Sequence, residues 1–436
     1  MYRPDVRRLS PTPLNRRQIL RLATGTTMAG LLGIIHTGIP PLYAAERTLT
    51  MLSGNHFNPV ADEYLQQMAQ SFEQANRCRV KIDFVPHRDT YIKVAKERQT
   101  RQGHDIVFLF FSLPQAYYEE LETLDFVEGI GNRLGGWYDI AREAGQVQGR
   151  WVALPCYCGA MPITYREDLY SQHHVAPPDT WEGWKEAAKH LRTATACKVG
   201  IALNQTDDSN LTLYALLWSY GASTADPTGR VSINSRATRQ AMDYMKDLYE
   251  SCMPSDVLQW SDASNNEAFL SGQYLWVHNA TTIYGVAKKV APELFAVTNH
   301  SLTPAGPGGR HGTAVPVNYG VWRFAKEKTL AREFLQYIMH RKRLEASFYT
   351  SATYNTPLCK VGEEFDWQRD PKTAALKDYM KTAHMIGWPA PIDHRAEQAR
   401  TQWIVPKMFA AYVTGKHSLE EAVTWGEAAL QKIYQG

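Results

Sequence analysis

A chain of 436 residues is too long for one compact core, so its length predicts two domains. Hydrophobic residues make up 44% and charged residues 21%, which is typical of a soluble globular protein, and the notable excess is 12 Trp and 23 Tyr. Once the six Arg and one Asp of residues 1–45 are subtracted, 41 basic and 43 acidic side chains remain, a formal charge of −2. A nucleic-acid surface needs clustered Lys and Arg, so we expect no nucleic-acid partner.

The N-terminal segment is typical of a secretory signal. The stretch "NRRQILR" at residues 15–21 puts two arginines ahead of the apolar residues 22–39, and "PLYAAE" offers cleavage near Ala44 or Ala45. This layout is similar to the twin-arginine type of signal. We therefore expect residues 1–45 to be a signal peptide that sends the mature chain to the bacterial periplasm.

The first part of the mature chain alternates between strand and helix patterns. "TLTML" and "VKIDFV" predict strands, and the apolar run "DIVFLFF" predicts a strand buried on both faces. Between the first two strands, Asn58 is a suitable N-cap and Pro59 a suitable first residue for a helix. Strand, helix and strand in this order predict a right-handed parallel crossover and an α/β lobe.

A second α/β unit begins near residue 179. Asp179 or Thr180 can cap a helix in which Trp181, Trp184, Ala188 and Leu191 recur at helical spacing, and the strand "VGIAL" follows. Farther on, the patterns predict a helix in "RATRQAMDYMKDLYE", a strand over Gly272–Ala280, a loop over Thr303–Thr313, a strand in "YGVWRFA", a helix over Glu327–His340, and a last helix opened by the capping box of Ser418 and Glu421.

Polar and aromatic residues at the ends of these strands are the candidate ligand contacts, because ligands of open α/β sheets lie beyond the carboxyl ends of the strands. The candidates found in this way are Asn55, His56, Phe111, Trp276, Asn279, Asn318 and Tyr319. An oxygen-rich ligand near Asn55 and His56 would also meet the free amide groups of the helix that follows.

Six cysteines in an exported chain permit fifteen disulfide pairings. We expect at least one disulfide among Cys78, Cys197, Cys252 and Cys359, whereas Cys156 and Cys158 suit small apolar packing positions. These two thiols belong to "LPCYCGAMPITYR" at residues 154–166, a segment too poor in aliphatic residues for a buried strand and too poor in charge for a surface loop.

Four stretches of the mature chain follow one another in a recognisable order, namely "GHDIVFLFFSLPQAYYEELETLDFVE", "WVALPCYCGAMPITYREDLYSQHHVAPPDTWEGW", "NEAFLSGQYLWVHNA" and "NYGVWRFAKEKTLAREFLQYIM". Together they resemble the family 1 extracellular solute-binding proteins, the maltose-binding-like receptors of ABC importers. Their order and spacing carry the resemblance, which covers most of residues 46–436. Arg166 departs from the family pattern, because "YREDL" stands in place of the usual Tyr-Asn-Lys-Asp-Leu run.

The resemblance implies an α/β fold of the two-lobed periplasmic binding protein-like II type, with a ligand cleft between the lobes. It assigns residues 46–155 and 297–345 to lobe 1 and residues 156–296 and 346–436 to lobe 2. The segment 154–166 would then cross between lobes at the cleft floor, with Pro155, Gly159 and Pro162 as hinge residues. The resemblance adds further ligand contacts, namely Tyr157, Trp218, Tyr354 and Trp388.

The predicted function is a periplasmic solute-binding receptor of an ABC importer, with a permease as its membrane partner. Aromatic rings with sparse charge suit a small neutral sugar or polyol, whose C–H faces stack on rings and whose hydroxyls need polar partners. We expect a monomer with no cofactor and no metal.

Other functions remain open on the sequence alone. One alternative is a receptor for a polyamine or quaternary ammonium cation, held by aromatic rings beside Asp207 or Asp208. Ferric iron held by tyrosines is another alternative. A third is a secreted carbohydrate-active enzyme, because paired catalytic carboxylates need no local motif.

Overall fold

The first strand and the helix after it follow the predicted strand–helix–strand order. The computed structural model describes residues 47–56 and 59–435, so the predicted signal peptide and the predicted N-cap Asn58 lie outside the described residues. The strands are β1 (Thr48–Gly54), β2 (Arg79–Val85), β3 (Ile106–Phe110), β4 (Gln146–Val147), β5 (Arg150–Trp151), β6 (Leu154–Ala160), β7 (Ile163–Arg166), β8 (Lys198–Gly200), β9 (Tyr274–His278), β10 (Thr298–Ser301), β11 (Ala305–Gly306), β12 (Gly309–Arg310), β13 (Gly312–Val321), β14 (Thr356–Pro357) and β15 (Ala383–His384).

Helices connect these strands and cover the sheets. They are α1 (Pro59–Asn76), α2 (His87–Thr100), α3 (Leu113–Ala116), α4 (Phe126–Arg133), α5 (Asp139–Gly145), α6 (Glu167–Gln172), α7 (Trp181–Thr195), α8 (Asp207–Ser219), α9 (Arg236–Cys252), α10 (Ser264–Leu270), α11 (Thr282–Val290), α12 (Pro292–Val297), α13 (Lys328–Ile338), α14 (Arg341–Thr350), α15 (His394–Thr401), α16 (Ile404–Val413) and α17 (Leu419–Tyr434). Short 3₁₀ helices cover Ser255–Gln259, Lys360–Glu364, Trp367–Arg369 and Pro371–Lys381.

Two sheets form the centres of two α/β lobes. The first has seven strands in the order β14-β6-β13-β3-β1-β2, with β15 paired to β13, and the second has four in the order β10-β7-β9-β8. The parallel pair β1–β2 confirms the predicted crossover through α1. The pairing of β10 with β7 puts residues 298–301 in the second sheet, although the resemblance assigned them to lobe 1.

Local signals in the sequence explain several helix boundaries. Thr180 accepts a hydrogen bond from the backbone of Gly183 and so caps α7, whose apolar face is buried as predicted. Ser418 and Glu421 form the predicted capping box at the start of α17. The predicted loop over 303–313 contains the short hairpin β11–β12, because Gly309, at φ 117°, supplies a backbone conformation that favours glycine.

The cysteines contradict the prediction of a disulfide. In the described residues no disulfide joins Cys78, Cys197, Cys252 or Cys359, so the prediction of a disulfide among them is wrong. Burial raises the pKa of the Cys156 and Cys158 thiols, which fits the predicted role of small packing residues.

The segments that cross between the two sheets contact one another. One crossing runs from β6 through Met161 to β7, and another runs from β10 to β13. The hydroxyl of Tyr379, on a third segment, lies 3.1 Å from the carbonyl oxygen of Met161 and 2.6 Å from that of Thr313. Thr303 Oγ1 donates to the same carbonyl of Met161 over 3.0 Å. The crossing segments are therefore tied to one another by buried hydrogen bonds.

Candidate functional site

A cavity of about 590 Å³ is lined by residues of both lobes. The first lobe contributes Tyr91 of α2 and the residues Phe110 and Phe111 at the end of β3. The second lobe and the C-terminal helices contribute a set of mainly polar and aromatic residues, including Asn204, Asp207, Asp208, Trp260, Asp262, Asn279, Arg400 and Trp403. A ligand of the size of a small solute would thus touch both halves of the molecule.

The crossing segments also contribute to the lining of this cavity. Met161 and Val315 line it, and so does Tyr354, which is only 5% exposed. The ring of Tyr354 lies against Gly159, since a Cβ at this glycine would come within 2.6 Å of the ring. The unusual composition of residues 154–166 is explained in part by this packing, because a side chain at position 159 would displace the ring from the cavity wall.

Two aromatic residues of the cavity wall have a left-handed backbone. Phe111 has φ 45° where β3 ends, and Trp403 has φ 58° where α16 begins. Bulky residues seldom adopt this conformation, which costs on the order of 1 kcal/mol or more and is concentrated at functional sites. The surrounding structure therefore holds both residues in a strained conformation at the cavity.

Arg400 connects the two lobes beside the cavity. Its guanidinium, on a side chain that is 3% exposed, forms ion pairs with Asp207 and Glu397. The same guanidinium lies 4.4 Å from the centroid of the Phe111 ring, which belongs to the other lobe. Glu397 in turn accepts a hydrogen bond of 2.5 Å from the Ser112 hydroxyl, which also belongs to the first lobe.

The carboxyl groups at the start of α8 have shifted pKa values. Burial raises the pKa of Asp207 to about 6, although the guanidinium of Arg400 opposes the shift. Burial also raises the pKa of Asp208 well above its ordinary value, and the nearby charge of Asp262 adds to the shift. Asp208 accepts a hydrogen bond of 2.8 Å from Asn265 Nδ2, and its backbone N–H donates to Asp262 Oδ1 over 3.1 Å.

The structure brings only part of the predicted contacts to this cavity. Phe111, Asn279 and Tyr354 line it. His56, Tyr157 and Tyr319 instead line a small cavity of about 40 Å³ within the first lobe. There the Nε2 atom of His56 lies 2.9 Å from the Tyr157 hydroxyl, and its Nδ1 atom lies 2.6 Å from Asp62.

The remaining predicted contacts lie elsewhere. Asn55 is exposed beside α1, and Asn318 is buried in β13, where it donates to the carbonyl oxygen of Leu109 over 3.3 Å. Trp276 is fully buried in β9, with its ring 5.8 Å from that of Trp184. Trp218 is also buried and packs against Trp388, which in turn stacks on His384 at 3.9 Å. These residues do not line the cavity between the lobes.

Several lining residues were not among the predicted contacts. Asn204 follows β8 in the chain, so the rule that selected residues beyond strand ends could have found it, whereas Asp207 was predicted only for the cationic alternative. Trp260, Arg400 and Trp403 follow no strand that the sequence predicts, and no local signal marks them. Only the tertiary contacts of the folded chain bring these three residues to the cavity.

Comparison with solved structures places the fold in a known class. The maltose-bound MalE3 of T. maritima aligns with a TM-score of 0.77 and 19% identity over 88% of this chain and 99% of that chain. A solute-binding protein of Thermotoga lettingae bound with alpha-D-tagatose gives 0.77 and 16% identity over 89% and 100% of the two chains. An Agrobacterium radiobacter protein in complex with ribitol gives 0.71 and 16% over 89% and 98%. The fold is that of the two-lobed periplasmic binding proteins.

The sequence itself identifies the family. The family model for bacterial extracellular solute-binding proteins matches residues 67–375, and the chain belongs to this family. A protein of Deinococcus radiodurans, described as a probable ABC transporter-binding protein, is 24% identical over 220 residues, which are 46% of this chain and 51% of that protein. The chain thus matches about half the length of this curated relative.

Among the residues that the structure describes, no helix has the length and apolar character needed to cross a membrane.

Proposed function

We propose that the protein is the periplasmic receptor of an ABC importer and that it binds a small sugar or polyol between its lobes. The observation that carries the proposal is the cavity of about 590 Å³, to which both lobes contribute aromatic rings and hydrogen-bonding groups. Rings such as Phe111 and Trp403 suit the C–H faces of a sugar, and Asn279 and Asp207 suit its hydroxyls. Similar structures contain maltose, tagatose and ribitol, which supports this class of solute.

Affinity in such a site requires contacts from both lobes at once. Micromolar binding corresponds to about −8 kcal/mol, whereas a net hydrogen bond or an aromatic contact contributes about 1 kcal/mol. Neither Phe111 with Tyr91 on one wall nor Asn279 with Trp260 on the other reaches this total alone. Binding therefore favours the closed arrangement, in which the full set of contacts is made, and the closed receptor, acting as a monomer, delivers the solute to its permease.

A polyamine or quaternary ammonium cation is a second candidate for the solute. The observation in its favour is that Asp207, Asp208 and Asp262 line the cavity together with aromatic rings. Cations of this kind bind where carboxylates and ring faces surround them.

A thermal-shift screen of the mature protein, followed by calorimetry on the hits, tests the proposal. Sugars and polyols should raise the melting temperature in a concentration-dependent way, without chemical change to the solute. Spermidine, choline and glycine betaine form the comparison set. A response to these cations alone would replace the sugar assignment with the second candidate, and product formation from any saccharide would contradict a pure binding function.

A further inference from the structure

The start of α8 forms a small acidic region within the cavity, which we call the Asp208 subsite. It consists of Asp207, Asp208 and Asp262. The only basic side chain among the described residues of the cavity lining is Arg400, and its guanidinium is already shared between Asp207 and Glu397. Among the described residues that line the cavity, three therefore carry a carboxyl group and one carries a basic group.

Asp208 differs from Asp207 in its partners. Asp207 has the guanidinium of Arg400, whereas the hydrogen bond that Asp208 receives comes from the neutral amide of Asn265. Asp208 has no ion pair with any described residue. A carboxylate deep in a cavity needs a positive partner or a proton, because desolvation otherwise makes its charge costly.

Tyr354 provides a second, independent observation on the same cavity. Its side chain is 5% exposed, lines the cavity, and has a hydroxyl without a hydrogen-bond partner among the described residues. Burial raises the pKa of this phenol, and the negative charge of Asp208, which lines the same cavity, adds to the shift. A phenol hydroxyl can both donate and accept a hydrogen bond, so this group can bond a polar group of a ligand in the cavity.

The charged groups of the cavity lining come from several elements. Asp207 precedes Asp208 on α8, Asp262 lies on the loop before α10, and Arg400 lies on α15, where it pairs with Glu397. Tyr354 lies near β14. Together these groups present hydrogen-bond acceptors and negative charge, with one cation that is already engaged, so a positively charged donor on the ligand is the best complement.

We propose that the Asp208 subsite selects a solute that carries a protonated amine on a hydroxylated skeleton, such as an amino sugar or an amino polyol. This inference rests on the proposed function, because the rest of the cavity recognises the hydroxylated part. The ammonium group binds beside Asp208, and the Tyr354 hydroxyl accepts one of its N–H groups or bonds a neighbouring hydroxyl. The ring of Trp260, which also lines the cavity, offers a face to the same charge.

Proton release distinguishes the binding of an amine from the binding of a neutral solute. Because burial and the nearby charge of Asp262 raise the pKa of Asp208, an ammonium group bound beside it favours the ionised carboxylate, and binding releases a proton from those molecules in which Asp208 is protonated. A neutral polyol leaves the proton in place. Affinity for an amine should therefore fall as the pH falls, whereas affinity for the neutral counterpart should change little.

The experiment compares matched solutes by calorimetry. The probes are D-sorbitol with 1-amino-1-deoxy-D-sorbitol, and D-glucose with D-glucosamine, measured at pH 7, where both amines are mainly protonated, and at pH 5, in two buffers of different ionisation enthalpy. In at least one pair, the amine should bind tenfold or more tightly than its neutral partner at pH 7, with release of protons. The preference should shrink at pH 5.

Variants separate this subsite from the rest of the cavity. Asp208→Asn should reduce the amine preference to within about threefold and abolish proton release. Tyr354→Phe, which removes only a hydroxyl, tests the contribution of this hydroxyl to the amine preference. Asp256→Asn, at an exposed position on a 3₁₀ turn of the same lobe, is the matched control. Circular dichroism and the melting temperature of each variant report whether it folds.

Each negative result of these experiments contradicts a particular proposal. Neutral solutes that bind as tightly as their amines would overturn the inference and leave a sugar or polyol receptor in place. Binding of spermidine and choline without binding of any hydroxylated probe would favour the second candidate for the solute and also overturn the inference. Absence of binding throughout both series would count against the proposed function itself.

Discussion

The hydroxyl of Ser112 donates to the carboxylate of Glu397 over 2.5 Å, and this bond joins the end of a first-lobe strand to a C-terminal helix 285 residues away in the chain. Glu397 also pairs with Arg400, whose guanidinium lies over the ring of Phe111. The bond is therefore part of a contact between the lobes at one end of the cavity. In a protein whose lobes open and close as proposed, a contact of this kind stabilises the arrangement in which they meet.

Removal of this bond should shift the protein toward an open arrangement. In Ser112→Ala the carboxylate of Glu397 loses a charge-assisted hydrogen bond, worth about 1.5–3 kcal/mol. We expect a larger distance between fluorophores placed on the two lobes and an affinity for solute that is lower by a factor of ten or more. Ser171→Ala, at an exposed serine of α6, is the control and should leave both quantities unchanged. An unaltered distance distribution in Ser112→Ala would show that the bond does not hold the lobes together.

A substitution at Glu143 should make the protein more stable at high pH. Burial raises the pKa of this carboxyl to about 7, and Oε2 has no hydrogen-bond partner. The folded state therefore binds this proton more strongly than the unfolded state does, so the contribution of Glu143 to stability is lost as the pH rises through 7. Glu143→Gln keeps the shape without the charge and should raise the free energy of unfolding at pH 8 by about 1–3 kcal/mol.

The pH profile provides the check on this prediction. At pH 4 both states carry the proton, so denaturant unfolding should give nearly equal stabilities for Glu143→Gln and the wild type. Glu63→Gln, at an exposed position on α1, should follow the wild type throughout. A difference that is equal at pH 4 and pH 8 would point to packing as its cause.

Gly159→Ala should disturb the cavity wall. The new Cβ would lie 2.6 Å from the ring of Tyr354, so either the ring or strand β6 must move. Overpacking of this kind costs about 1–3 kcal/mol, and displacement of the ring should also weaken solute binding. Gly129→Ala in α4 is the matched control, because its nearest neighbour would be Arg133 Nη1 at an ordinary 3.6 Å. Unfolding curves and calorimetry on both variants measure the two effects, and a wild-type affinity in Gly159→Ala would contradict the assigned role of Tyr354.

Trp276→Ala should affect folding more than binding. The side chain is fully buried in β9 and packs against Trp184, so its removal leaves a large void in the second lobe. The expected loss is about 3–5 kcal/mol in the free energy of unfolding. Trp425→Ala, at a side chain that is 41% exposed, should cost far less. Weaker solute binding with unchanged stability in Trp276→Ala would instead support the original prediction of a ligand contact.

The sequence predicted the elements with strong local patterns. The apolar run of β3 and the capping residues Thr180 and Ser418 act through neighbours in the chain, so composition and spacing were enough to locate them. The loop over 303–313 was predicted without its hairpin, because a two-strand turn of this size has too few residues to show an alternating pattern.

The candidate site was harder to predict because burial depends on tertiary packing. The rule for strand ends found Phe111 and Asn279, but it also selected Trp276, whose strand is covered on both faces. Arg400 reaches the cavity from a helix far along the chain, and only the folded structure brings it to Asp207. Sequence patterns indicate which faces are apolar, but they do not show which of those faces line a shared space.

The phenol of Tyr379 has a mechanical consequence for the proposed function. Because this single hydroxyl touches the backbone of two crossing segments and belongs to a third, a rotation of one lobe against the other would be centred near it. Substitution of side chains around the cavity would then change which solute binds without changing the axis of that rotation.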